Sequence, residues 1–522
     1  MRNNGAVLFA AILVAALALP QGILAADEDI QKKVDALSKE VQALQQQVAQ
    51  SKDGKKSGAD WLTIGGDYRF KVDSLRGKVA DYYPFTGFNP STGAPIIGPL
   101  QNEFTVKNDS ILTNRFGLNL KAKATQNVTV TARLLMYKTF GSQDDSAVTG
   151  LQSFDAQGNK VVSPFFGDRV GVFDGTQGHI PGDGRVTVDQ AYATWSNILD
   201  QPIWFSVGRR PSTGGIPTYL RQNNEKPGNG GIPGLLVDYA FDGAALGYAP
   251  DIDALPGAYA KLCYGRGFEN GMTATGGNGL KDTEFLGVSV TAYDTDRLYL
   301  NLQWDRGFNI FDQPVIAGKS FFGFSVEPRV DLGDIDWYGI TALSTLKNVG
   351  PGTLNLFATG AASKTQPNDN RTLVTPSFPG VGLLLGPGES KSSKTGQAFY
   401  VGGRYDFNKN RTKIGAEYNY GSKNWIGFVP AGDDLWTSKL GTRGSVYEVY
   451  LIQEFNAAPI SSYFAKTFLR VGYQYYDFQY TGSNNWVGAP VKTSELSNPQ
   501  NAQIFVPLKN AQDLYATMEV KF

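Results

Sequence analysis

One histidine and one cysteine, His179 and Cys263, limit the covalent chemistry open to this chain. A hydrolytic relay needs a histidine beside its nucleophile. His179 stands in the loop-like run Gly178-His179-Ile180-Pro181-Gly182 and reads as a surface residue. Cys263 has no second thiol to pair with, and no Cys-x-x-Cys-His run occurs, so an intramolecular disulfide and covalently attached haem are both excluded. Gly276-Gly277-Asn278-Gly279 looks like part of a dinucleotide-binding turn but opens no helix, so it reads as loop. The acidic pairs Asp144-Asp145 and Asp433-Asp434 could hold Ca²⁺, yet read as solvated loop charge. No catalytic residue, metal site or cofactor is expected, and the chain is not expected to be an enzyme.

The remaining candidates are charges that alternate with apolar residues. Leu62, Ile64, Tyr68, Phe70 and Val72 alternate with Thr63, Asp67, Arg69, Lys71 and Asp73. Successive side chains of a strand point to opposite faces, so one face is greasy and the other charged. The same holds for Phe116, Leu118 and Leu120 against Arg115, Asn119 and Lys121, and for Val130, Ala132 and Leu134 against Thr129, Thr131 and Arg133. It recurs where Leu300 and Leu302 face away from Arg297, Asn301 and Gln303, with Leu300 directed to lipid and Asn301 to water. Segments of about ten residues with this dyad period are the signature of a transmembrane β-barrel, because ten tilted residues rise roughly 25 Å. Charge on the inner face of such a barrel sets the selectivity of a pore. The pore-lining candidates are Arg69, Lys71, Arg115, Lys121, Arg133, Arg297, Arg404 and Arg470, with Lys123, Lys261 and Lys413 beside them. The acidic ones are Asp67, Asp73, Asp305, Asp406, Glu417, Glu448, Glu454 and Glu519, so the balance tilts basic and predicts a preference for anions.

The elements that carry these residues can be counted from the connections. Seven short ones alternate with eight long ones rich in Gly, Pro, Asn and Ser, which gives about sixteen antiparallel strands with both chain ends on the short-turn side. Phe321 to Leu332 could add a strand but would break that parity, so it belongs to a long loop. Over the whole chain 48 Lys and Arg balance 48 Asp and Glu, without the basic excess of a nucleic-acid binder.

The N-terminus reads differently. Arg2, the apolar run Ala6 to Leu19 and the small residues before Asp27 form a secretory signal over residues 1–26. Its apolar run is too short to span a bilayer as a helix. Ile30, Val34, Leu37, Val41, Leu44 and Val48 then recur at spacings of four and three, a heptad seam that predicts a short periplasmic coiled coil over 27–50. Residues 51–60 read as a flexible linker, and 61–522 as the barrel.

Two motifs bring a resemblance. Leu514, Ala516, Met518, Val520 and Phe522 alternate with polar residues up to the terminal aromatic. This is similar to the C-terminal strand by which the barrel-assembly machinery recognises outer-membrane proteins, with Phe522, Val520 and Met518 as the signal. Asp189-Gln190-Ala191-Tyr192-Ala193, followed by Val207-Gly208-Arg209-Arg210-Pro211, resembles a hairpin of general and substrate-selective porins. The layout is most similar to outer-membrane porins of Gram-negative bacteria that begin with a short coiled coil. That resemblance implies a barrel in outer-membrane lipid, a homo-oligomer with a trimer favoured by analogy, and a third long loop folded into the lumen. By order that loop runs from Pro211 to Leu236 and carries Arg221, Glu225 and Lys226. The function implied is passive diffusion of small solutes or ions. The alternative is a sheath around a separate multihaem cytochrome, or another periplasmic partner, in a trans-outer-membrane electron conduit. A membrane-embedded enzyme and a tether from the outer membrane to the wall are further readings, the first disfavoured by the residue inventory.

Overall fold

Alternation of apolar and polar residues becomes, in the computed structural model, a sheet that closes on itself. Described are residues 61–143, 178–212, 214–228, 234–272, 274–275, 279–312, 328–429, 433–455 and 465–522. Four two-residue strand fragments at Ser153–Phe154, Lys160–Val161, Ser320–Phe321 and Phe324–Ser325 complete them. The signal peptide, coiled coil and linker lie outside the described residues, as do Asp144-Asp145 and Gly276 to Asn278.

The barrel strands in chain order are β1 Leu62–Val79, β2 Phe104–Lys123, β3 Val128–Thr139, β4 Thr187–Ser196, β5 Ile203–Arg210, β6 Phe241–Tyr248, β7 Tyr259–Phe268 and β8 Thr283–Asp294. They continue with β9 Tyr299–Phe308, β10 Gly333–Val349, β11 Gly352–Pro367, β12 Thr395–Phe407, β13 Thr412–Gly421, β14 Gly444–Glu454, β15 Lys466–Phe478 and β16 Leu508–Lys521. Each pairs antiparallel with its neighbours, and β1 also pairs with β16, which closes the ring at sixteen strands. The expected count and parity hold. Phe321 lies in a two-residue hairpin within the connection 309–332, outside the barrel sheet.

Closure runs along β1, where Tyr68, for example, faces Phe116 on one side and Val520 on the other. Gly66 and Phe522 then exchange both backbone hydrogen bonds, at 2.7 and 3.0 Å. A Cβ at Gly66 would stand 2.4 Å from the Gly117 carbonyl oxygen and 2.7 Å from the Phe522 ring. Only glycine lets the terminal aromatic lie against the seam.

The barrel is inside-out relative to a soluble sandwich. Leu246, Leu262, Val290, Leu302, Val449, Val471 and Leu514 are exposed on its outer face. Arg69, Lys71, Lys261, Arg404, Glu417, Glu448 and Arg470 are buried within it. An apolar band outside and closed backbone pairing are what hydrocarbon demands of a spanning structure. Among the described residues no helix is long and apolar enough to cross a membrane.

The interior departs from expectation in one respect. The charged lining expected all round gives way over β8 to β12 to Phe285, Tyr299, Ile335, Trp337, Leu343, Phe357 and Tyr400, all buried. Against them pack Ile216, Tyr219, Leu220, Leu235 and Leu236 from the third outer loop, 211–240, and Trp425, Ile426, Phe428 and Leu440 from the seventh, 422–443. Each large apolar side chain fully withdrawn from water contributes roughly 1.5–3 kcal/mol. These two loops are therefore an internal core rather than solvated connections. They are also joined to each other, since Asp238 N–H donates to Phe428 O at 2.9 Å and Phe428 N–H to Leu236 O at 3.1 Å.

Candidate functional site

The third outer loop descends along the lumen, and wall cations hold its backbone. Arg404 of β12 donates to Leu220 O at 2.5 Å and Arg470 of β15 to Arg221 O at 2.6 Å. Lys521 of β16 donates to Asn223 O at 2.8 Å, and Lys413 of β13 to the Asn223 side-chain oxygen at 2.7 Å. Hydrogen bonds from charged donors contribute roughly 1.5–3 kcal/mol each. Further on, Glu225 meets Lys466, the first residue of β15, at 2.9 Å. Lys226 meets Asp294, the last residue of β8. Both partners lie at strand ends remote from the long loops, so this loop reaches from the long-loop rim to the opposite mouth.

The seventh outer loop crosses the lumen on its two acidic residues. Asp433 Oδ2 accepts from Arg115 at 2.6 Å and Arg69 at 2.8 Å. Burial favours the neutral acid, but the charges of Arg115 and then Arg69 outweigh it and hold Asp433 well below the usual carboxylate range. Asp434 accepts from Arg221 of the third loop at 2.8 Å. Neighbouring carboxylates thus clasp the β1–β2 wall and the third loop at once. Behind them Lys439 binds both Glu417 and Glu448, while Tyr400, Tyr450 and Tyr515 donate to the same two glutamates.

Along β1 to β4 the charges form a chain of alternating sign. His179 bonds Asp189 at 2.7 Å, Asp189 lies 3.3 Å from Arg133, and Arg133 bonds Asp67 at 2.6 Å. Asp67 lies 3.4 Å from Arg115, which meets Asp433 and through it Arg69. Arg115, Arg133 and Asp67 keep 15–17% of their side-chain surface, whereas Arg69, Arg221 and Arg470 keep less than 10%. Solvent inside the barrel therefore reaches the wall at Asp67, Arg115 and Arg133 on β1 to β3, away from the core formed by the loops. No group of three or more potential metal ligands occurs among the described residues.

A family model described as "Protein of unknown function (DUF3373)" matches residues 105–522. The chain belongs to that family. The DUF3373 match begins in β2 and ends on Phe522, so it takes in nearly the whole barrel. No curated protein matches the chain. Among solved structures, the trimer form of in-vitro folded OmpT from Vibrio cholerae is 13% identical over 88% of this chain and 99% of that one, with a TM-score of 0.40. OprB of Pseudomonas putida at high pH is 10% identical over 88% and 94%, with a TM-score of 0.40. The outer membrane channel DcaP of Acinetobacter baumannii is 11% identical over 88% and 97%, with a TM-score of 0.36. Likeness this slight carries no site geometry across, and the architecture of the DUF3373 barrel rests on its own strand pairing.

Most residues singled out in the DUF3373 sequence do face the lumen. Arg69, Lys71, Arg115, Arg133, Arg404 and Arg470 do so, but as members of ion pairs or loop anchors rather than free charges. Lys121 also faces inward and is exposed, with no ion pair among the described residues. Arg297 does not line the wall: it lies in the turn 295–298, because β8 ends at Asp294 and β9 begins at Tyr299. Asn301 points inward as expected but not to water, since it is 1% exposed and donates to Ser289 and Thr291 at 2.9 Å. His179 is no surface residue, and Asp433-Asp434 is no solvated pair. Of the third-loop charges, Arg221 is buried within the barrel, whereas Glu225 and Lys226 reach strand ends at the short-turn mouth, where Glu225 keeps 61% of its side-chain surface. Lys439 carries no periodic signal in the sequence, although its loop holds Trp425, Ile426, Phe428, Val429, Leu435, Trp436 and Leu440, too apolar a set for a solvated connection.

Proposed function

We propose that this chain is an outer-membrane porin through which small solutes or ions diffuse passively, without covalent catalysis. The observation that carries the reading is the partly exposed charge chain of Asp67, Arg115 and Arg133, in a barrel whose third and seventh loops are pinned inside it. A polar strip opposite fixed loops is how a wide barrel becomes a selective constriction. Arg115 and Arg133 of the wall and Arg221 of the third loop each contact two carboxylates. The anion preference we propose therefore comes from Lys121 and Lys123, and it is mild.

The cytochrome-sheath alternative has less support, since the third and seventh loops occupy the space a separate haem protein would need. Insertion through the barrel-assembly machinery, with Phe522, Val520 and Met518 as signal, and assembly as a trimer complete the proposal. Planar-bilayer recording of the purified full-length protein tests it: discrete conductance steps with weak anion selectivity are expected. A heat-modifiable, folded barrel that gives no steps overturns the reading. Mass measurement in detergent decides between trimer and monomer.

A further inference from the structure

Above the lumen, the first, sixth and eighth outer loops, 80–103, 368–394 and 479–507, enclose a cavity of about 640 Å³. Small-molecule sites are typically roughly 300–1,000 Å³, mostly apolar, with a few polar groups that fix orientation. This lining fits that description, with Phe85, Ile97, Phe378, Phe478, Trp486 and Phe505 among its walls. Trp486 also belongs to the internal core, and its indole donates to Phe311 O at 2.8 Å, so the wall is fixed from beneath.

Arg443 lines the same cavity and is 1% exposed. Its Nε donates to Trp425 O at 2.9 Å, Nη1 to Thr481 O at 3.1 Å and Nη2 to Asn485 O at 2.6 Å. A guanidinium has five N–H donors. Three are engaged with carbonyls, which leaves two without a protein partner among the described residues. No carboxylate pairs with it there, and burial alone pushes its pKa down. Arginine nevertheless stays charged at neutral pH. A desolvated cation without an anion is costly, and fastening the eighth loop to the seventh through two donors and bracing the seventh at Trp425 through a third does not account for the charge. Asp312 lines the cavity too, yet its oxygens are already committed. They accept from Arg329 N–H at 2.9 Å, Val330 N–H at 3.4 Å and the Thr372 hydroxyl at 2.6 Å.

We propose that this outer cavity binds a monocarboxylate with an aromatic or apolar body, the ring among the aromatic walls and the carboxylate at the spare donors of Arg443. One charged head matches one uncompensated cation, and the committed Asp312 disfavours a dianion. Such a solute would be gathered at the outer mouth before it meets the charged passage. This deepens the porin reading by naming a solute class, but binding is measured without conduction. Conductance with no binding sinks only this proposal, and binding with no conductance sinks only the porin.

The test is equilibrium dialysis of the full-length protein in detergent at pH 7.5 with 3-phenylpropanoate, its amide, and 2-phenylethylamine. The acid is expected to bind saturably and about tenfold or more tighter than the amide, as a charge-assisted pair would, with the amine weakest. Arg443→Gln is expected to bring the acid to the affinity of the amide, and Phe378→Ala to weaken both alike. Equal binding of acid and amide by the unaltered protein, tightest binding of the amine, or no saturable binding of the acid overturns the proposal, whether or not Arg443→Gln folds.

Discussion

Asp433→Asn should unfasten the tip of the seventh loop from the β1–β2 wall and give the passage a net positive charge. In the intact protein one oxygen of Asp433 serves Arg115 at 2.6 Å and Arg69 at 2.8 Å. Arg69 and Arg115 lie directly opposite each other in the β1–β2 register. Without the carboxylate, two guanidiniums face each other with little access to water. Removing one partner of a buried ion pair costs about 3–5 kcal/mol, which would shift the docking equilibrium of the tip by roughly two to three and a half powers of ten. The rest of the loop stays in place, because Trp425 and Phe428 are buried in the core and Trp436 donates to Gln512 O at 2.8 Å. Charge changes as well: with His179 neutral, Arg69, Arg115 and Arg133 balance Asp67, Asp189 and Asp433 at zero, and the substitution leaves +1. Single-channel recording under a salt gradient should show higher conductance and a reversal potential moved towards that of the anion. The double variant Asp433→Asn/Arg115→Gln should restore the reversal potential while the conductance stays high. If Asp433→Asn leaves both quantities unchanged, the loop tip lies outside the conducting path and the constriction argument fails.

Four further outcomes are expected. His179 makes the passage sensitive to pH: burial would lower its pKa, but Asp189 outweighs burial and raises it above 6.5. The stabilisation it lends is then complete below about pH 6.5 and lost as pH rises through the raised value. The reversal potential should move towards that of the cation between pH 6 and pH 9, and a His179→Gln channel that shows the same shift would refute this. Arg470→Gln removes the donor to Arg221 O and leaves Glu519 short of its 3.0 Å partner, so protease cleavage within the third loop should speed up while the barrel stays folded. Leu302→Arg, on the lipid face and 50% exposed, should lower the yield of folded barrel by an amount equivalent to roughly 2–4 kcal/mol, and wild-type insertion would show the phase to be wrong. Deleting Phe522, whose backbone closes the seam against Gly66, should reduce heat-modifiable barrel in the outer membrane and increase periplasmic degradation.

Which features could be read from the sequence follows from the range of the forces involved. Alternation is local: a side chain at Leu302 must oppose one at Gln303 whatever the rest of the chain does, so strands, faces and parity were legible from spacing alone. The same alternation puts Arg297 on the wall although it lies in a turn, since a period of two continues through a turn on paper but not in space. Loops obey no period. Asp433-Asp434 reads as solvated charge until the chain returns through more than 300 residues to Arg115 and Arg69, and only that return turns a calcium-like pair into a clasp. His179 likewise depends on a fold that brings Asp189 beside it. What the sequence does hold is the apolar content of these loops. A connection bearing Trp425, Ile426, Phe428 and Leu440 cannot stay in water without loss of burial energy, and inside the closed barrel these side chains are buried against the apolar wall of β8 to β12. Pairing of the wall charges then follows, because cations that line a lumen filled by loops must find carbonyls or carboxylates on those loops. The residues that look most like a selectivity filter in the sequence are for that reason the ones most fully spent on holding the loops, and Lys121, exposed and without an ion pair among the described residues, is the stronger candidate for steering a passing ion.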